Sequence, residues 1–123
     1  SLVAAGDPAR ARGDIDAALA TAKDDPLAWL LSATLARRTG DLTRAQGDII
    51  EALRRAPDDA SVELERGNVA AARGDATEAQ AGWRQAMKVQ PLSPAAASAA
   101  QALAQFEAPV PAAPAGTKRR EGR

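Results

Sequence analysis

Apolar residues recur along most of the chain at the three-to-four-residue spacing of amphipathic helices. Between residues 8 and 22, Ala11, Ile15, Ala18 and Leu19 share one helical face at i, i+4, i+7 and i+8. Helix-starting Asp or Ser and helix-ending Gly or Pro bound the segments of this kind. The pattern predicts helices over residues 8–22, 26–39, 42–55, 60–73, 76–89 and 94–107, preceded by the last turn of another helix over residues 1–5.

The helix boundaries return at a constant interval. This interval separates Gly6-Asp7 from Gly40-Asp41, and again Gly40-Asp41 from Gly74-Asp75. We call it the repeat period. In each pair the Gly suits the left-handed end of one helix and the Asp caps the start of the next. The predicted connections are two to four residues long, so neighbouring helices should run antiparallel.

A repeating unit of two helices and about 34 residues resembles the tetratricopeptide repeat (TPR). The family pattern places a large, a Leu-like, a small and an aromatic residue in the first helix, then Ala, an aromatic, Ala and a closing Pro in the second. The first full repeat has Trp29, Ser32, Ala33, Ala36, Ala45, Ile49, Ala52 and Pro57 at these places, and the second has Glu63, Arg66, Gly67, Ala70, Ala79, Trp83, Ala86 and Pro91. The resemblance implies an all-α fold, a right-handed α-solenoid of antiparallel helix pairs. It would hold about two full repeats, a partial N-terminal repeat and a C-terminal capping helix.

Some residues fit this register better than others. It places Trp29 and Trp83 in the core, and the small Gly67 allows paired helices to approach closely. Glu63 and Arg66 depart from the family pattern. Their i, i+3 spacing predicts an ion pair on a less buried face.

The domain organisation follows from where the pattern stops. We expect a TPR-like domain over residues 1–107, and a disordered, Pro/Ala-rich tail with a basic end over residues 108–123, where no apolar period remains. Because the first repeat is partial, part of the face formed by Ala11, Ile15 and Leu19 should be open to water. The sequence therefore predicts either a fragment of a longer protein or self-association through this face.

Composition argues against several kinds of chemistry. The chain is 46% hydrophobic but 2% aromatic, so Ala, Leu, Val and Ile must form the core. It has no Cys and no His, the residues that most often bind metals or transfer protons. The acidic pairs Asp14/Asp16, Asp24/Asp25 and Asp58/Asp59 are interpreted as acids near helix ends rather than as catalytic or calcium sites. We therefore expect no enzyme activity, no cofactor and no metal.

Charge and hydropathy indicate the class of partner. The formal net charge is zero, which gives no overall field to attract nucleic acid or anionic lipid. The basic end, with Lys118, Arg119, Arg120 and Arg123, is a weak candidate for such contacts. The longest apolar run is shorter than the roughly 20 residues of a membrane span, and no signal peptide opens the chain. These features favour a protein partner and a cytoplasmic location; a periplasmic location would require an upstream signal or anchor. Abundant Ala and the excess of Arg over Lys are typical of GC-rich bacteria.

The resemblance implies that the first helices of the repeats line a concave, partner-binding face. The predicted groove residues are Leu27, Leu30, Thr34, Arg37, Ser61, Leu64, Asn68, Ala71, Ser98 and Gln105. Asn68 matches one residue of the carboxylate clamp that some TPR domains use on chaperone tails, but Leu64 and Ala99 stand where a Lys and a second Asn would be. The predicted function is a non-enzymatic adaptor or scaffold that binds a peptide or protein in this groove. The alternative is a structural module that assembles through its N-terminal end.

Overall fold

The computed structural model describes residues 7–107, and this part of the chain folds into six helices and no strands. The helices are α1 (Pro8–Thr21), α2 (Pro26–Arg38), α3 (Leu42–Arg55), α4 (Ala60–Ala72), α5 (Ala76–Val89) and α6 (Pro94–Glu107). Each begins at the predicted residue and ends within one residue of the predicted end. The predicted turn over residues 1–5 and the tail over residues 108–123 lie outside the described residues.

Side-chain caps fix where the helices begin. Five Asp side chains accept a hydrogen bond from a backbone N–H in the following first turn, namely Asp7, Asp25, Asp41, Asp59 and Asp75. At α6, Ser93 Oγ accepts from the Ala96 N–H at 3.0 Å. Each cap satisfies a donor that has no partner within its own helix.

Two glycines turn the chain between helices. Gly40 and Gly74 have φ of +87° and +83°, in the left-handed region where a Cβ is unfavourable. After the second of these turns, the Asp75 N–H donates to the Ala70 carbonyl at 2.9 Å. This hydrogen bond closes the helix end and lets α5 start directly after α4.

The helices fall into two alternating sets. We call α2, α4 and α6 the first helices and α1, α3 and α5 the second helices. Consecutive helices pack on one another, and α4 also contacts α2 and α6, whereas no two second helices pack on each other within the described residues. One side-chain ion pair, between Asp16 and Arg44, connects α1 to α3. The first helices therefore lie side by side and the second helices lie apart.

Small residues set the spacing between α4 and α5. A Cβ on Gly82 would lie 2.7 Å from the Gly67 backbone nitrogen, and a Cβ on Gly67 would meet the Trp83 ring. Trp83 is buried, and Phe106 of α6 packs edge-on against its ring with centroids 5.3 Å apart. The last helix thus covers Trp83, as expected of a capping helix.

The prediction that Trp29 lies in the core is confirmed in part: the residue is half-buried and packs against the core cluster that contains Ile49 and Val62. The indole Nε1 donates to the Lys23 carbonyl at 2.6 Å, and the Arg55 guanidinium lies over the ring at 4.9 Å. Trp29 has its polar edge bonded to a loop and one face under a cation, an arrangement typical of an amphipathic aromatic residue at a surface.

The predicted pair of Glu63 and Arg66 is confirmed, with Arg66 Nη1 2.9 Å from Glu63 Oε1. The prediction that the pair lies on a less buried face is wrong, since Glu63 is only 5% exposed. Arg66 also donates to Glu78 across the helix pair at 2.7 Å. Because a buried carboxylate needs a bonded cation, this pairing allows Glu63 to lie where the helices are closest.

The face of α1 is partly open, as predicted, but not at every position. Ala11 is fully buried, Ile15 and Leu19 are half-buried, and Ala18 is exposed. Ala52, which stands one repeat period after Ala18, is fully buried. The open part is therefore the strip around Ala18.

Candidate partner-binding surface

The ten predicted groove residues all come from the three first helices, which lie side by side. Leu27, Ser61, Ser98 and Gln105 are exposed, and Leu30, Thr34, Arg37, Leu64, Asn68 and Ala71 are half-buried. Leu30 and Leu64 owe their burial to packing against two different core clusters. Below, the groove surface means these ten residues.

Arg37 is the only charged residue of the groove surface, and Glu65 neutralises it. Arg37 Nε and Nη2 donate to the two carboxylate oxygens of Glu65 at 2.5 and 3.2 Å. The two residues belong to α2 and α4, so this two-pronged ion pair joins neighbouring first helices. Such paired geometry is among the stronger ionic contacts in proteins.

Asn68 is also committed to contacts within the fold. Its Nδ2 donates to Glu65 at 3.3 Å, and its Oδ1 accepts from the Trp83 indole at 3.1 Å. Asn68 therefore links the ion pair on the surface to the buried Trp83. These two hydrogen bonds stabilise the fold, so Asn68 has a structural role that does not depend on a bound partner protein.

Thr34 and Ala71 add little capacity for polar recognition. The Thr34 hydroxyl donates to the Leu30 carbonyl one turn earlier at 3.0 Å. Ala71 presents only a methyl group. Three polar side chains of the groove surface make no hydrogen bond within residues 7–107, namely those of Ser61, Ser98 and Gln105. The surface is consequently neutral and mixed in polarity.

Sequence reasoning missed the environments of two residues at equivalent positions of α4 and α2. Glu65 is 5% exposed and holds both Arg37 and Asn68. Leu31 stands one repeat period before it and is 49% exposed. The repeat register aligns the two positions, but the amphipathic pattern gives no sign that an acid is buried at one and a Leu exposed at the other.

The residues 7–107 contain no cluster of three acidic side chains that could hold a metal ion, and no helix there is both long and apolar enough to cross a membrane. The tail residues Lys118, Arg119, Arg120 and Arg123 lie outside this range.

Comparison with known proteins agrees with the architecture. A family model described as tetratricopeptide repeat matches residues 1–60 and, in an overlapping placement, residues 30–90. A search of curated proteins found no match. The matched region holds both full repeats, from the helix start at Pro26 to the end of α5 at Val89. With its constant repeat period, its capped helix pairs and this match over more than half its length, the chain belongs to the tetratricopeptide repeat family.

Proposed function

We propose that this chain is a non-enzymatic adaptor that binds a protein or peptide on a concave face formed by α2, α4 and α6. TPR repeats are generally protein–protein interaction modules, which supports the class of function. The first helices pack on one another while the second helices do not, and this difference supports a concave face on the side of the first helices. The observation that carries the proposal is an exposed Leu27 beside small polar residues on that side.

The proposed partner contributes apolar contacts and neutral hydrogen bonds rather than charges. Arg37 is already paired with Glu65, and Asn68 is bonded on both sides of its amide. A carboxylate clamp is not part of this proposal, because Leu64 is apolar and Ala99 is fully buried. Binding should therefore depend weakly on salt, in contrast to recognition through unpaired surface charges.

Affinity capture from the source cell, followed by calorimetry with the purified partner, tests the proposal. The double variant Leu27→Glu, Ser61→Glu changes two exposed residues of the groove surface and should abolish binding while helical circular dichroism stays at the wild-type level. The control is Leu92→Glu, since Leu92 is fully exposed in the loop before α6. Wild-type binding by the double variant would refute the proposal.

A second candidate is an assembly module that packs through the outer side of α1 and α2. Leu31 is exposed there, and Ala18 and Ile15 leave an apolar strip on α1. Such a surface favours contact with further repeats or with a second copy. Sedimentation at rising concentration distinguishes this role: a dimer that Leu31→Glu dissociates supports it, and a monomer at high micromolar concentration excludes self-association.

A further inference from the structure

The side of the molecule opposite the groove surface repeats one structural position three times. This position is held in the three second helices by Asp16, Ile50 and Arg84, which lie one repeat period apart. In the first instance, Asp16 of α1 accepts from Arg44 of α3 at 2.9 Å and from Arg12 at 3.2 Å. This bridge links α1 to α3, two helices that otherwise do not pack on each other within the described residues. In α1, the residue at this position is therefore part of an ion pair.

In α5, the residue at this position is also part of an ion pair. Arg84 of α5 stands two repeat periods after Asp16 and bonds to Glu107 at the end of α6. The sign of each charge differs from the first instance, but a second-helix charge again finds an opposite charge nearby.

In α3, the residue at this position is not part of an ion pair. Ile50 stands midway between Asp16 and Arg84, one repeat period from each, and it is 47% exposed. Arg73, at the end of α4, stands one repeat period before Glu107. Arg73 has no acidic partner among residues 7–107. In this part of the chain, an exposed aliphatic residue and an unpaired cation thus replace the ion pair.

Both residues line a cleft of about 100 Å³ between α3, α4 and α5. We call it the middle cleft; it is lined by Gln46, Ile49, Ile50, Leu53, Arg66, Val69, Ala70, Arg73 and Glu78. Five of these nine residues are aliphatic. A dry cavity of about 150 Å³ holds benzene, so this space suits a single aliphatic side chain.

The other charges of the middle cleft are balanced within the fold. Arg66 is bonded to Glu78 at 2.7 Å and to Glu63 at 2.9 Å. The bond to Glu78 is the largest influence on Arg66, and together with the bond to Glu63 it outweighs burial and raises the pKa of the guanidinium above its usual value. Arg66 is thus a permanent cation with two carboxylates. Within the described residues, Arg73 is the cation that remains available at the edge of the cleft.

We propose that the middle cleft is a second docking site, which takes a peptide segment of a partner protein that carries a bulky aliphatic side chain next to a carboxylate. The aliphatic side chain would pack against Ile50, Leu53 and Val69. The carboxylate would pair with Arg73, as Glu107 pairs with Arg84 in the following repeat. This site faces away from the groove surface, so it is independent of the proposed adaptor function.

The test is an NMR titration of the whole ¹⁵N-labelled chain with a capped pentapeptide, acetyl-Ala-Ala-Leu-Asp-Ala-amide. Saturable shifts are expected at Ile50, Val69 and Arg73. Replacing the Asp of the probe with Asn should weaken binding by about fivefold, the upper end of the scale for an exposed ion pair. Replacing its Leu with Ala should remove the shifts.

Protein variants make the assignment specific. Ile50→Asp introduces the residue that α1 has at this position, and Arg73→Thr introduces the residue that follows α2 as Thr39. Each should reduce binding of the Leu-Asp probe. Arg73→Glu should reverse the preference, so that a Leu-Lys probe binds more tightly than Leu-Asp. Leu31→Asp is the matched control, because it places the same charge on an exposed aliphatic residue of the opposite side and should leave the titration unchanged.

Three results would overturn the proposal. The first is an absence of saturable shifts, or shifts confined to α2 and α6. The second is displacement of signals from residues 108–123 by the probe, which would assign the cleft to the chain's own C-terminal segment. The third is concentration-dependent shifts at Ile50 without any probe, which would assign the cleft to a second copy of the chain.

Discussion

Gly82 and Gly47 occupy neighbouring positions in successive repeats but have different surroundings. A Cβ on Gly82 would lie within 3.0 Å of backbone atoms of Gly67 and Glu63, whereas a Cβ on Gly47 would meet nothing within 4 Å. Backbone atoms of a packed helix cannot move aside individually, but an open surface accepts a methyl group freely. The same substitution should therefore have opposite effects at the two positions.

Gly82→Ala should lower the free energy of unfolding by about 1 to 3 kcal/mol, because the α4–α5 pair must separate. Gly47→Ala should raise it by roughly 0.5 to 1 kcal/mol, since Ala is the better helix former on an exposed face. The chain already has Ala81 at the position equivalent to Gly47 in the next repeat. Urea denaturation measures both changes. Equal effects of the two substitutions would contradict the packing described for α4 and α5.

Asp16 makes stability depend on pH. Burial opposes its ionisation, but hydrogen bonds from Arg44 and then Arg12 outweigh burial and lower the pKa of the Asp16 carboxyl. A carboxyl whose pKa is lower in the folded state stabilises the fold above its unfolded pKa of about 3.9, and this contribution is lost as pH falls through the folded pKa.

Asp16→Asn should consequently destabilise the protein by less than about 1 kcal/mol at pH 7, because the Asp16 side chain is 45% exposed and solvent screens the pair. The difference from wild type should shrink as pH falls below about 4. Urea denaturation at a series of pH values measures this change. A difference that stays constant down to pH 3 would mean that the charge of Asp16 is not what stabilises the contact.

At the scale of the helices, starts and ends could be predicted because their signals are local. Asp59 and Gly74, for example, act on backbone atoms within a few residues. The environments of Trp29 and Glu63 could not be predicted in this way. They depend on Arg55 and on the approach of α5, which are distant in sequence.

The neighbouring acids Asp58 and Asp59 allow a direct test of helix capping. Asp59 Oδ1 accepts from the Ser61 and Val62 N–H groups at 2.8 and 3.3 Å, whereas Asp58 makes no side-chain hydrogen bond within residues 7–107. Asp59→Ala should cost about 1 kcal/mol of stability. Asp58→Ala removes the same charge and should change stability by less than about 0.5 kcal/mol. A similar loss in both variants would indicate general electrostatics in place of a cap.

At the scale of the whole molecule, the repeat register predicted which helices lie side by side. It placed the groove surface on α2, α4 and α6, and the structure brings these helices together. It did not predict the pairing of Arg37 with buried Glu65, or the middle cleft beside Ile50. Both depend on which side chains differ between equivalent positions, and a period describes only what the repeats share.

The arrangement of the helices also predicts uneven stability along the chain. Among the described residues, α1 packs only on α2 and reaches α3 through the single ion pair of Asp16 and Arg44, and its Ala18 side chain is exposed. The helix α4 contacts α2, α3, α5 and α6, and it buries Val62, Val69 and Ala70. In an array whose stability comes from contacts between neighbours, a helix with one neighbour should open more readily than a helix with four.

Native-state hydrogen exchange should therefore show a lower free energy of opening for the amides in the middle of α1 than for those of α4. The amides of α4 should exchange only through global unfolding, so their free energy should equal the value from urea denaturation. Leu30→Ala is a useful companion variant, because Leu30 packs on the cluster of Ile49 and Val62 and not on the cluster around Trp83. It should speed exchange in α2 and α3 more than in α5. Equal protection of α1 and α4 would mean that the described helices unfold as one cooperative unit, and that the contact of α1 with α2 is enough to bind it to the rest of the array.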